Sequence, residues 1–256
     1  MKLTVLIENT ASREDLTAEH GLSLYLEVGE RKLLFDAGAS GAFADNAVAL
    51  GVDLKAVDTA VLSHGHYDHG GGLDRFFREN CRAKCYVNKN ALGQYYNASG
   101  KYIGLAQPPQ FPERLILTES TTALGPGLTL FPGRETGEAV PGSLQMMEKG
   151  ILRPDDFSHE QYLLIEEGGK RILISGCSHR GVARIMARFR PDVLVGGFHT
   201  KDVSDGETLE ALARELAAFP AVYYTCHCTG QAQFDAMGRI LGQRLRYLGT
   251  GDRLVL

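Results

Sequence analysis

Short apolar runs alternate with helical stretches along the chain. Residues 3–7, 22–28 and 32–35 are runs of strand length and predict an N-terminal meander, with a hairpin turn at Val28-Gly29-Glu30-Arg31. Residues 43–50 predict a helix ended by Gly51, residues 59–62 a buried strand, residues 73–77 the start of a helix, and residues 85–88 another strand. Residues 94–113 and 132–158 lack either period. Their Gly, Pro and mixed charges predict long loops, of the kind that act as lids or binding loops over a compact body. The second half is more regular. Residues 162–165 and 171–175 form a hairpin around Gly168-Gly169, and residues 193–195 and 222–225 read as strands. Val182, Ile185, Met186 and Phe189 share a helical face, Leu209, Leu212, Leu216 and Phe219 step by three, four and three, and Phe234, Met237 and Leu241 mark a last helix. The sum is a β-rich half followed by αβ units, with two sheets flanked by helices.

Composition narrows the class. The chain has 256 residues, of which 44% are hydrophobic and 23% charged, which excludes a disordered tail, a collagen-like repeat and a disulfide-stapled miniprotein. A net charge of −4 speaks against a broad surface for nucleic-acid backbone. No apolar run is long enough to cross a membrane as a helix. The N-terminal run is broken by Glu8 and reads as a strand rather than an export signal, so a cytoplasmic location with reduced thiols is expected. An odd count of five Cys agrees with free thiols. The eight His matter through their positions.

Four potential metal ligands lie within six positions in Ser63-His64-Gly65-His66-Tyr67-Asp68-His69-Gly70-Gly71-Gly72, between a strand and a helix that opens near Gly71. In an extended segment His64 and His66 point the same way, while Asp68 and His69 fall beyond the bend. Imidazole with carboxylate suits zinc, and the mixed nitrogen and oxygen set admits manganese or iron. A solvated His-rich loop would not bring so many ligand types together. Three further strands end in the same manner, at Gly176-Cys177-Ser178-His179, at Gly197-Phe198-His199 and at Cys226-His227-Cys228-Thr229-Gly230. Polar residues just past buried strands are how αβ folds assemble a site from distant segments.

Residues 63–73 resemble the signature motif of the metallo-β-lactamase superfamily, and Leu34-Phe35-Asp36-Ala37-Gly38 resembles its upstream Asp motif. Together with Glu19-His20-Gly21-Leu22-Ser23 and the three later His segments, nearly the whole chain is similar to the branch labelled dihydropterin ribofuranosylaminobenzene phosphate synthase-like. The resemblance implies a four-layer αβ/βα sandwich, here one domain over residues 1–256. It implies His64 and His66 on a first metal ion and Asp68 and His69 on a second, with one or two ions bound, zinc foremost. Asp36 would hold the His loop by hydrogen bonds to its imidazoles, and His20 would lie near the site. The chain departs from the superfamily at Phe131-Pro132-Gly133-Arg134-Glu135-Thr136, where many hydrolases carry a ligand His and Arg134 cannot ligate. His179 is the expected replacement, with Cys177 in competition, and His227 is expected to complete the second position. His199 is a further candidate ligand, with substrate contact or proton transfer its favoured role. Cys226 and Cys228, spaced by one residue, are expected to be buried or semi-exposed thiols rather than part of a structural zinc cluster with Cys81 and Cys85.

The implied activity is hydrolysis, or a related lyase or transferase reaction, of a small anionic substrate that could carry phosphate or a pterin, by metal-activated hydroxide, with Asp68 and His199 catalytic. Arg134, Lys101 and Lys201 are candidate anchors for a phosphate or carboxylate. The expected partner is a small molecule, with neither nucleic acid nor membrane, and homo-oligomer formation is left open. A nuclease or phosphodiesterase, a flavodiiron-like redox protein and a non-catalytic metal sensor are the competing readings. The acidic balance weighs against the first, and residues 181–256 show no separate flavin module, which weighs against the second. Arg134 at the usual ligand position favours the third.

Overall fold

The computed structural model describes residues 1–106, 111–137 and 142–256. In chain order the strands are β1 (Lys2–Ile7), β2 (Ser23–Val28), β3 (Arg31–Phe35), β4 (Thr59–Leu62), β5 (Lys84–Asn88), β6 (Tyr95–Tyr96), β7 (Leu115–Thr118), β8 (Thr122–Gly125) and β9 (Leu128–Pro132), then β10 (Gln145–Glu148), β11 (Ile151–Pro154), β12 (Gln161–Glu167), β13 (Lys170–Ile174), β14 (Val193–Val195), β15 (Val222–Thr225), β16 (Leu245–Tyr247) and β17 (Arg253–Val255). The α-helices are α1 (Ala42–Ala49), α2 (Tyr67–Gly70), α3 (Leu73–Glu79), α4 (Val182–Phe189), α5 (Gly206–Ala217) and α6 (Gln231–Leu241). Two seven-stranded sheets dominate, ordered β17-β1-β2-β3-β4-β5-β7 and β16-β15-β14-β13-β12-β9-β8. In the first, β3, β4, β5 and β7 run parallel, and in the second, β13 to β16 do. The remaining pairs are antiparallel.

Period-two alternation sets which face of each strand meets which layer. Leu33 and Phe35 of β3, Leu163 and Ile165 of β12, and Ile172 and Ile174 of β13 point into one core between the two sheets. Their neighbours Leu34, Leu164 and Leu173 point outward and are buried just as deeply, because helices cover both outer faces. Phe43, Ala44 and Ala47 of α1 and Phe76 and Phe77 of α3 cover the first sheet. Val182, Ile185, Met186 and Phe189 of α4 cover the second, with Leu209 and Leu216 of α5 and Met237 and Leu241 of α6. The outcome is the expected four-layer αβ/βα sandwich. Among the described residues no helix is long and apolar enough to cross a membrane.

One expectation needs correction. Residues 94–113 and 132–158 are not structureless: β6, β10 and β11 pair into a small third sheet, with Tyr95 opposite Met146. Their apolar signal is weak because β11 is exposed throughout and β10 is mostly half-buried. Residues 107–110 and 138–141 of the two expected loops lie outside the described residues. The helix expected to open near Gly71 is α3, which starts at Leu73, and a further helical turn, α2, precedes it within the His motif.

Candidate metal centre

The site forms where parallel strands end. Asp36 follows β3, the His loop follows β4, Cys177 to His179 follow β13, His199 follows β14 and His227 follows β15. All of these turns except the His loop contain a non-glycine residue in the left-handed region: Asp36 (φ 60°), Ser178 (φ 57°), His199 (φ 53°) and His227 (φ 52°). Such conformations are unfavourable and persist only where the surroundings hold them, a feature that clusters at functional sites. The loops from the two sheets also approach closely. A Cβ on Gly176 would lie 2.3 Å from Ser63 Oγ, so only glycine lets the β13 turn pass over the His loop.

Hydrogen bonds orient four imidazoles alike. Ser63 Oγ donates to Asp36 Oδ2 at 2.7 Å and so accepts from His64 Nδ1 at 2.8 Å. His69 Nδ1 donates to Asp36 Oδ2 at 2.7 Å, and Asp36 Oδ1 accepts the Ser63 N–H at 2.7 Å. His179 Nδ1 faces Glu160 Oε1 at 3.3 Å, and His227 Nδ1 faces Asn9 Oδ1 at 2.8 Å. With Nδ1 spent as a donor, each neutral ring turns a lone pair on Nε2 inward. His64 Nε2 and His66 Nε2 are buried with no hydrogen-bond partner. His69 Nε2 and His227 Nε2 lie 3.2 Å apart, two lone pairs face to face unless a cation sits between them. Cys177 Sγ is 3.2 Å from His69 Nε2, and Asp68 Oδ2 is 3.3 Å from His227 Nε2. These separations match the ~3.4 Å edge of a tetrahedron whose bonds are ~2.1 Å.

Ligand atoms converge in overlapping groups, each within 4.8 Å: His64, His66 and His179 in one; His64, His69 and Cys177 in another; Cys177, His227 and Cys228 in a third; and His20, Asp68 and His227 in a fourth. The donor set fits one or two divalent ions of the zinc type, with nitrogen and thiolate prominent. Burial and the neighbouring imidazoles hold His64 and His66 well below the usual His value, so both stay neutral and able to ligate. Burial opposes charge on His69, yet Asp36 and Asp68 push its pKa up to about 9, so without an ion a proton lies between His69 Nε2 and His227 Nε2, and a bound ion would take its place. Burial likewise opposes charge on Asp68, but His69, His20 and His227 hold it well below the usual carboxylate value. Burial and then Cys228 raise Cys177. The Cys228 thiol is drawn down against burial by bonds from Cys177 and His199.

The structure thus brings together the His, Asp and Cys residues singled out in the sequence for the site, but not Arg134, and with some changes of place. His179 groups with His64 and His66, Cys177 groups with His64 and His69 and also with His227 and Cys228, and the two share a further group with His199, so both reach the site. His20, expected only nearby, has Nε2 3.3 Å from Asp68 Oδ2 and joins a ligand group, though its ring is partly exposed. The His199 ring lies tilted against that of His179, 4.3 Å between ring centroids, and its Nδ1 is buried without a partner. Cys226 belongs to the core between the sheets, Cys85 to the core beneath α3, and Cys81 is exposed, so the Cys residues do not form one cluster.

Several residues escaped the sequence reading. Cys228, expected to be only a thiol, is in the site, and the His199 N–H donates to its Sγ at 3.3 Å. Glu8 Oε1 accepts the His227 N–H at 2.6 Å, and Asn9 bonds the His227 ring. Both follow the end of β1, so the strand-end rule that found the other residues would have found these. Glu160 accepts the His179 N–H at 2.9 Å; burial would raise its pKa, but His179 and Tyr162 pull it down to about 2. His159 Nδ1 accepts the Gly65 N–H at 3.0 Å, and its Nε2 meets Asp155 Oδ2 at 3.1 Å, clamping the His loop from β12.

A cleft of about 450 Å³ opens onto these groups, and His66, Asp68, His179, His199 and His227 line it. Lys101 and Lys201 are on its wall, whereas Arg134 is not.

Residues 16–227 match the model of the metallo-beta-lactamase superfamily. The chain is 27% identical over 241 residues to the uncharacterized protein MJ0448 of Methanocaldococcus jannaschii, covering 89% of this chain and 90% of that one. It is 25% identical over 263 residues to the 7,8-dihydropterin-6-methyl-4-(beta-D-ribofuranosyl)-aminobenzene-5'-phosphate synthase of the same organism, covering 90% and 88%. Among solved structures, Tm1679, described as a metal-dependent hydrolase of the beta-lactamase superfamily, superimposes with a TM-score of 0.85 at 29% identity, over 100% of this chain and 99% of that one. The superfamily implies a divalent metal ion, and the convergent Nε2 atoms of the four imidazoles provide for one. The chain belongs to the metallo-beta-lactamase superfamily.

Proposed function

We propose that the protein is a metal-dependent hydrolase, or a related lyase or transferase, of a small anionic substrate. The observation that carries this reading is the set of inward-facing Nε2 atoms, four of them on rings whose Nδ1 is already bonded, next to carboxylate and thiol groups at the floor of an open cleft. His64, His66 and His179 would hold one divalent ion. Asp68, His69, His227 and Cys177 would hold a second, with His20 and Cys228 adjoining. A divalent ion so held lowers the pKa of a water from ~15.7 toward ~7 and polarises the scissile group. The chain's own residues do the remainder. Asp68, held by His20 Nε2 at 3.3 Å, orients the attacking water and accepts its proton. The His199 imidazole, at the cleft wall, returns a proton to the leaving group. The Asp36, Glu160 and Asn9 side chains keep the rings in the tautomer this requires. The similarity to a synthase named for forming a pterin-linked 5'-phosphate supports a phosphorylated or heteroaromatic substrate.

Metal analysis joined to a hydrolysis screen over phosphodiesters, phosphomonoesters, thioesters and lactones tests the reading. Protein expressed with ample zinc should carry at least one equivalent of ion, and a His64→Ala/His66→Ala variant should lose both ion and turnover. Metal content unchanged in that variant overturns the assignment. Bound metal without turnover on any substrate class would favour a sensor, and RNA cleavage alone a nuclease.

A further inference from the structure

Lys101 and Lys201 enter the same cleft from opposite halves of the chain, and neither takes part in the chemistry described above. Each sits on a segment pinned to a ligand-bearing loop. Residues 95–103 fold into a short finger: Asn97 N–H donates to Lys101 C=O at 2.9 Å, Ile103 N–H to Tyr95 C=O at 2.8 Å, and Tyr96 bridges Tyr102. The tip is an Asx turn in which Asn97 Oδ1 accepts the N–H groups of Ser99 and Lys101. The base of the finger is tied to the His loop, since Tyr67 N–H donates to Ile103 C=O at 2.9 Å and His66 bridges Gly104. On the other side, the N–H groups of Thr200 and Lys201 both donate to Cys228 C=O at 3.0 Å, which fixes Lys201 to the His227 turn. The positions of both lysines relative to the metal centre are therefore set by backbone hydrogen bonds.

Among the described residues neither ammonium lies within ion-pair distance of a carboxylate. Two carboxylates share the cleft, Asp68 and Asp202. Asp68 is engaged by His20 and His227, and Asp202 adjoins Lys201 in sequence without pairing. Asn97, Ser99 and Ser143 add hydrogen-bonding groups to the wall of the same cleft. A cleft of about 450 Å³ suits a small molecule and is too small for a nucleic-acid duplex.

We infer that Lys101 and Lys201 form an anion subsite on the wall of the cleft that holds a phosphate group of the substrate while its scissile bond lies over the His cluster. The inference rests on the hydrolase reading and narrows it: the substrate carries an anionic group, best met by a phosphate monoester, beyond the bond that breaks. Lysine acts here as a point charge, so the subsite selects for charge more than for planar shape.

Inorganic phosphate is the probe, titrated calorimetrically into the zinc-loaded protein at low ionic strength. Binding should be measurable, should weaken as salt rises, and should fall tenfold or more in a Lys101→Ala/Lys201→Ala variant whose zinc content is unchanged. It should survive in the His64→Ala/His66→Ala variant. Absence of binding to the parent chain overturns the subsite. So does affinity within twofold of the parent in the lysine variant, or loss of binding in the His variant alone, which would put phosphate on the metal centre. Because this is an equilibrium measurement, it reads the subsite independently of the hydrolysis screen that reads the proposed activity.

Discussion

A single carboxylate, Asp36, bears on both halves of the candidate metal centre. Its two oxygens accept from the Ser63 N–H, the Ser63 hydroxyl and His69 Nδ1, and through Ser63 it also sets the tautomer of His64. Asp36→Asn keeps the shape but turns an amide donor, or a weaker acceptor, toward His69 and Ser63. Metal affinity should fall about 10- to 100-fold, as measured by competition with a chromophoric chelator. Affinity within twofold of the parent would show that Asp36 does not tune its ligands. Sequence alone located Asp36, His64, His66, Asp68 and His69 because they are adjacent in short motifs. Cys228 and His159 were not legible in the same way. A thiol between a His and a Thr, or a lone His before a strand, resembles an ordinary core residue until the turn that aims it is known. Glu8 illustrates the same limit, since a charge interrupting an apolar strand reads as an edge until the His227 N–H is seen donating to it.

Regular elements were legible where burial imposes a period. The stripes of α4, α5 and α6 and the alternation in β3, β12 and β13 are dictated by helices on both outer faces and a shared inner core. Strands β6, β10 and β11 were not, because their partners and solvent ask for no apolar face. Gly65 connects element packing to the site. A Cβ there would lie 2.3 Å from Ala91 C=O, in the turn that follows β5. A backbone oxygen cannot move aside as a flexible side chain can. Gly65→Ala should therefore displace the His loop and weaken the Gly65 N–H bond to His159. The expected loss is about 1–3 kcal/mol of stability together with reduced zinc content. Chemical denaturation and metal analysis of the same preparation check both. Normal stability and normal zinc would mean that the loop tolerates the extra carbon and that its tight approach is not a requirement of the site.

Across the whole molecule, the ligand set is divided between the two sheets. His64, His66, Asp68 and His69 follow a strand of the first, and Cys177, His179 and His227 follow strands of the second. An ion held by both groups joins the two layers at their edge, where the core between the sheets gives way to the cleft. The unfolded chain separates these residues by more than a hundred positions, so the ion should favour the folded state. With free zinc at 100 times its dissociation constant, the added stability is about 2.7 kcal/mol. For a chain of this size each kcal/mol shifts the melting temperature by about 2–4 °C, so chelation should lower it by about 5–11 °C. Scanning fluorimetry with and without EDTA measures that difference directly. The His64→Ala/His66→Ala variant should respond much less to the chelator, because three of the first position's donors are reduced to one. Equal melting temperatures with and without EDTA, in protein shown to contain zinc beforehand, would mean that the ion bridges nothing the fold does not already hold, and that the two sheets come together without it.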